Sequence, residues 1–153
     1  MKFHHTNKKR LTAITLGSSR YLIIRPTPKD KDHKYQFIYR SQSSDQKYGP
    51  YHRDGLRSAH VTVHDVENND IVVLLSDGAA DNLDDAAYER CLLAHLGADG
   101  VLADPNAFSK GLADKANDVN KVREHAQDMK EQGLTVPKTG TDKERDDISV
   151  VCA

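Results

Sequence analysis

The segment Ser76-Asp77-Gly78-Ala79-Ala80-Asp81-Asn82 follows directly on the apolar run Ile71 to Leu75. A buried strand that ends in Asp-Gly, with a second aspartate before a helix, sets a carboxylate at a rigid sheet edge. Hard cations such as Mg²⁺ and Mn²⁺ take oxygen ligands in octahedral geometry and keep several waters, so two or three carboxylates suffice. The chain closes on a second arrangement of this kind, Arg145-Asp146-Asp147 ahead of the β-rich run Ile148 to Val151. Asp77 and Asp146 are therefore the candidate metal ligands, and a shared site requires them within about 6 Å of each other. A divalent ion there lowers the pKa of its bound water and supplies hydroxide for phosphoester hydrolysis. The same residue types also serve plainer ends, with Asp77 and Asp81 as turn and N-cap residues. From the residues alone both readings stay open.

The elements that position these acids follow from periodicity. Leu11 to Leu16 and Tyr21 to Arg25 are β-rich runs separated by Gly17-Ser18-Ser19-Arg20, which predicts a hairpin. Pro26 and Pro28 close the second run, and Tyr35 to Tyr39 resumes the sheet after the charged loop Asp30 to Lys34. Three strands in a row predict an antiparallel meander. Arg40 to Gly55 reads as an exposed loop, its Tyr48, Pro50 and Tyr51 pinning it. Ala59 to Val66 alternates as a half-buried strand, and Glu67-Asn68-Asn69-Asp70 turns it into Ile71 to Leu75. That run is expected to be a central strand, with Ile148 to Cys152 beside or near it.

After Asp81 the period becomes helical. Leu83, Ala87, Cys91 and Ala94 share a face, Asp84 and Asp85 stand in the first turn, and Gly97 ends the helix. Asp104-Pro105 offers an N-cap and a first-turn proline for a longer helix, whose apolar stripe is Phe108, Leu112, Ala116, Val119, Val122, Ala126 and Met129. Gly133 stops it.

Composition excludes several classes. A formal net charge of −1 does not suit a general nucleic-acid binder, which needs many uncompensated cations for phosphate contacts. No apolar stretch reaches the roughly 18 residues that span a bilayer. Residues 1–10, with Lys2, Lys8, Lys9 and Arg10, read as a basic solvated arm, and 11–153 as a single domain or part of one. That arm, basic and free of acids, is compatible with a mitochondrial address; the alternative is the cytoplasm. Cys91 and Cys152 fit neither a metal-ligand spacing nor a disulfide framework and read as buried thiols. His60 and His64 on one strand sit roughly 13 Å apart and do not chelate one ion. Neither a nucleophile elbow nor a lysine-bearing phosphate loop occurs.

Three segments in register resemble a known family. Ser76-Asp77-Gly78-Ala79-Ala80-Asp81-Asn82 is similar to the Ser/Thr-Asp-Gly-x-x-Asp-Asn segment of the type 2C, metal-dependent protein phosphatases. Asp146-Asp147-Ile148-Ser149-Val150-Val151 resembles their closing strand, and Leu16-Gly17-Ser18-Ser19-Arg20 their Gly-Asp-Ser-Arg hairpin. The stretch from Tyr39 to Tyr51 resembles the branch that includes mitochondrial matrix phosphatases. The resemblance covers Leu11 to Ala153 and implies an α+β fold, a partial αββα sandwich whose antiparallel sheet carries two long helices on one face. It implies that Asp77 and Asp146 hold Mg²⁺ or Mn²⁺ in a binuclear centre that hydrolyses phosphoserine and phosphothreonine, and that Asp81 caps the helix.

The departures carry equal weight. Ser18 stands where the family has the aspartate of Gly-Asp-Ser, and a neutral hydroxyl supplies no charge to an additional metal. The family's first Asp-Gly, whose carboxylate bridges both metals, and its phosphate-contacting arginine have no counterpart before Leu11. The expectation is a degenerate or incomplete phosphatase-like domain, binding metal weakly or not at all, that acts as an interaction subunit of a larger assembly. The alternative is the C-terminal part of an active phosphatase with a phosphoprotein substrate. An incomplete sandwich leaves a sheet face or helix layer uncovered, which calls for a protein partner chain or self-association.

Overall fold

The computed structural model describes residues 9–15, 17–27, 34–42, 59–133 and 147–153. Tyr21, Leu22, Ile23 and Ile24 run consecutively and all four are buried, so the strand that carries them is covered on both faces. This strand, β2 (Arg20–Pro26), sits inside a four-stranded antiparallel sheet between β3 (Tyr35–Arg40) and β5 (Ile71–Leu75), and β6 (Val150–Cys152) follows β5 at the edge. A second sheet pairs β1 (Lys9–Thr15) with β4 (His60–Val66), from Lys9 opposite Val66 to Thr15 opposite His60.

The expected hairpin from Leu11 to Arg25 is therefore corrected: β1 and β2 belong to different sheets, and of the three-strand meander the β2–β3 pair remains. Gly17, at φ 75°, sits in the turn between the two sheets, a left-handed conformation that costs glycine little. The burial patterns explain the parting. β1 alternates between exposed and half-buried residues and suits a layer covered on one side, whereas the continuous apolar run of β2 needs a strand on each flank and a layer on each face. The central place of β5 and its pairing with β6 agree with the sequence, Leu75 lying opposite Val150 and Val73 opposite Cys152.

One face of the four-stranded sheet presents Leu22, Ile24, Ile71, Val73 and Leu75 to the helices α1 (Asp77–Asn82), α2 (Asp85–His95) and α3 (Pro105–Glu131). Ala79, Leu83, Tyr88, Leu92, Phe108, Leu112 and Ala116 complete this core. Burial there pushes the Tyr88 phenol up to about 12. Asp104 caps α3 by accepting from the amides of Asn106 and Ala107, with Pro105 in the first turn, as the sequence indicates. The apolar stripe expected to continue through Val119, Val122, Ala126 and Met129 ends early, since the last buried residue of α3 is Asn120 and Val122 is exposed. The cause is length. A helix of 27 residues reaches about 40 Å, while a five-residue strand covers about 17 Å, so the end of α3 runs past the sheet. Cys91 is buried as expected, but Cys152 is half-buried.

The other face of the sheet meets the second sheet through Tyr21. Its hydroxyl bonds to the Thr62 hydroxyl and, at 2.7 Å, to Nε2 of His64, and Tyr39 of β3 packs its ring 4.3 Å from the His64 ring. One hydrogen assignment satisfies the chain: His64 Nε2 donates to Tyr21, Tyr21 donates to Thr62, and Thr62 donates to the Ala13 carbonyl. His64 thus serves the sheet-to-sheet contact, while His60 is exposed.

The passage from β4 to β5 is fastened by charge. Asn69 takes a left-handed φ of 71°, and Arg25 donates from Nε and Nη2 to the two oxygens of Asp70, both at 2.8 Å, and from Nη1 to Glu67. The Asp70 side chain is 2% exposed. Burial raises its carboxyl, but the Arg25 bonds, the Glu67 amide and the Arg25 charge outweigh that and hold it below the ordinary carboxylate value. Replacing Asp70 with Asn leaves Arg25 without its charge partner and is expected to cost about 2–3 kcal/mol in urea unfolding at pH 7. Because the folded-state pKa is depressed, this contribution is complete above the unfolded value near 4 and is lost as pH falls through the folded value. The difference between wild type and Asp70→Asn should accordingly shrink in unfolding curves taken below about pH 4.

Candidate functional site

Register brings the three resembling segments to one end of the four-stranded sheet. Arg20 lies opposite Leu75, and Leu75 lies opposite Val150, so the turn at Ser18-Ser19, the start of α1 and the approach to β6 leave the sheet side by side. What ties the start of α1 to the approach to β6 is Ser76. Its amide donates to the Ser149 carbonyl at 3.0 Å, and its hydroxyl donates to the Asp147 carbonyl at 2.8 Å. The same hydroxyl accepts from the amides of Ser149 at 3.0 Å and Ala79 at 3.3 Å. With one donor and two acceptor lone pairs, it is saturated. It therefore caps α1 and clips the last strand to the sheet at once.

Asp77 occupies the first turn of α1, half-buried, its Oδ1 accepting from the Gly78 amide. A carboxylate in this position is favoured by the helix dipole whether or not an ion is present. Asp81 does not cap a helix, which corrects the role the resemblance implied. The caps are Ser76 for α1 and Asp84, accepting from the Ala87 amide, for α2. The helix expected after Asp81 is α2, and α1 is a separate short helix ahead of it. Asp81 lies inside α1 and accepts from Nη2 of Arg20 at 2.7 Å, fastening α1 to the first residue of β2. Among the described residues, the buried Nε of Arg20 has no hydrogen-bond partner. Ser18 is an exposed turn residue.

Asp146 lies outside the described residues, and with it the expected approach to Asp77; its chain neighbour Asp147 is described. Among the described residues, no group of three or more His, Cys, Asp or Glu side chains is placed to hold a metal ion. The groups described at this end are Asp77 at the strand end, a neutral hydroxyl at Ser18, an Asp81 engaged by a guanidinium, and Asp147.

Behind the site, Asn82 donates from its amide nitrogen to the Asn120 side-chain oxygen at 2.9 Å and to the Ala116 carbonyl at 3.1 Å. This buried amide pair locks α1 against α3. Sequence reasoning missed it, along with the Arg20–Asp81 pair, because both join residues far apart in the chain. The one available signal was an Asn on the otherwise apolar face of α3.

No family model matches the chain, and no curated protein matches it. Among solved structures, the X-ray structure of the photosystem II phosphatase PBCP aligns over 94% of this chain and 58% of that chain, at 19% identity and a TM-score of 0.58. At that identity the likeness carries the fold: the chain is a partial sandwich of the type 2C phosphatase kind. It spans a little over half the length of that neighbour.

Replacing Ser76 with Ala removes a helix cap and two links to the last strand. The expected cost is about 1–3 kcal/mol. In hydrogen exchange, the amides of Ser149 and Val150 should lose protection before those of β2, and Ser76→Thr, which keeps the hydroxyl, should restore most of it.

Proposed function

We propose that this type 2C-like sandwich is a catalytically incomplete phosphatase domain that works as an interaction subunit of a larger assembly. The observation that carries this reading is the donor set at the sheet end. A binuclear Mg²⁺ or Mn²⁺ centre needs several carboxylates that converge, because each supplies a ligand and part of the neutralising charge. Here the described residues provide Asp77, while the turn that carries a carboxylate in the resembling family carries Ser18, and the nearby Asp81 is committed to Arg20. Ser76, by contrast, is fully bonded, so the same segment supports folding without any ion. The reading therefore assigns the acidic motif to architecture: it joins the last strand to the first helix.

Active phosphatase is the alternative, and Asp77, half-buried at the strand end, is the feature that speaks for it. The two separate in one assay. Purified chain with millimolar Mn²⁺ and a phosphothreonine peptide should release phosphate within about twofold of a protein-free control, since hydroxide generation needs two metals held together. Strong Mn²⁺-dependent release that vanishes in Asp146→Asn would replace the structural reading with the enzymatic one.

A further inference from the structure

The last strand is held differently from the rest of the four-stranded sheet. Among the described residues, β6 pairs with β5 alone, over Val150, Val151 and Cys152. None of the three is fully buried: Val150 and Cys152 are half-buried and Val151 is 58% exposed. Across the ladder, Val73 and Leu75 of β5 are 0% and 3% exposed, within a core formed with β2 and the helices that takes no buried residue from β6. What fastens β6 is therefore mainly backbone. Beyond the ladder, the Val72 amide donates to the Ala153 carbonyl at 2.9 Å and the Ala153 amide to the Val72 carbonyl at 3.0 Å. At the other end Ser76 holds Asp147 and Ser149, and along the strand the Cys152 thiol meets the Ser109 hydroxyl of α3. Segments with few buried apolar contacts and hydrogen bonds close to solvent open at free energies well below that of global unfolding.

We propose that β6 is a latch: the segment from Asp147 to Ala153 leaves and rejoins the edge of β5 as one unit while the rest of the fold stays intact, and Ser76 is its catch. The serine suits that part because its hydroxyl serves both sides of the joint. With the latch open, the hydroxyl keeps the Ala79 amide and so continues to cap α1, while its bonds to Asp147 and Ser149 are exchanged for bonds to water. All the groups at the catch are uncharged, and such an exchange has a small net cost. Opening has two effects. It frees the amide and carbonyl of Val72 at the edge of β5, and it carries Asp147 away from the turn that holds Asp77. A ligand that touches groups of both segments therefore binds the shut form and shifts the population toward it. Binding at this end of the sheet and the local stability of β6 are in that way linked.

The test is native-state hydrogen exchange of the full chain in increasing urea below its unfolding transition, read at the amides of Ser149, Ala153 and β2. The expected result is that Ser149 and Ala153 share one protection factor, at least about tenfold below that of the β2 amides. Their protection should also depend little on urea, because opening the latch uncovers little surface. Ser76→Ala supplies the second arm. The bonds it removes lie at the Asp147–Ser149 end, yet a latch that moves as one unit passes the effect along its length, so Ala153 should exchange about tenfold faster as well. Protection at Ser149 and Ala153 equal to that of β2, with the same urea slope, would mean that β6 leaves only on global unfolding and would overturn the proposal. Unequal protection at its two ends, with Ala153 unmoved by Ser76→Ala, would overturn it too, since that is the fraying of single residues.

Discussion

Strand β2 must be covered on both faces, and most of the architecture follows from that requirement. Four consecutive buried apolar residues cannot be satisfied by one layer, because successive side chains point to opposite sides of a sheet. Leu22 and Ile24 are met by the three helices, and Tyr21 by the second sheet. Once β2 is committed to this double role, β1 cannot serve as its hairpin partner without leaving the second layer unbuilt. The turn at Gly17 therefore carries the chain from one layer to the other. The passage from β4 to β5 does the same at the opposite end, held by Arg25 and Asp70.

Much of this was legible in the sequence, and the parts that were not share one cause. The extent of β5, its central place and its pairing with β6 follow from a continuous apolar run and a β-rich terminus. The start of α3 follows from Asp104 and Pro105, whose preferences are local. The partner of β1 does not follow, because an alternating run states which side is covered and not by what. The early end of the α3 stripe escapes for a similar reason: Val122 has the right spacing, but the sheet beneath it has already ended. At the site, the convergence of three segments was legible from their resemblance to a family, whereas their fastening was not. The aspartates drew the eye, and the residue that makes the contacts is Ser76. Asp81 fell to a pairing with Arg20 that spacing alone does not encode.

The site is thus a joint built mainly from uncharged groups. A serine hydroxyl with all its hydrogen-bonding capacity used, and a buried pair of asparagines, set the position of the first helix against the last strand and the long helix. Such groups hold geometry through direction rather than through net charge, and their contribution varies little with salt.

Leu75 finds its partner at Val150, about half the chain away, and Lys9 finds its own at Val66. A ribosome that has just made β5 has yet to make the strand that completes its hydrogen bonding, and at some tens of residues for every few seconds of synthesis that interval is long beside the microseconds of local helix formation. Throughout it, an apolar strand with one bare side is on offer to any other chain. The demand placed by this topology falls less on the finished molecule than on its birth, in the interval before β6 exists to close the sheet.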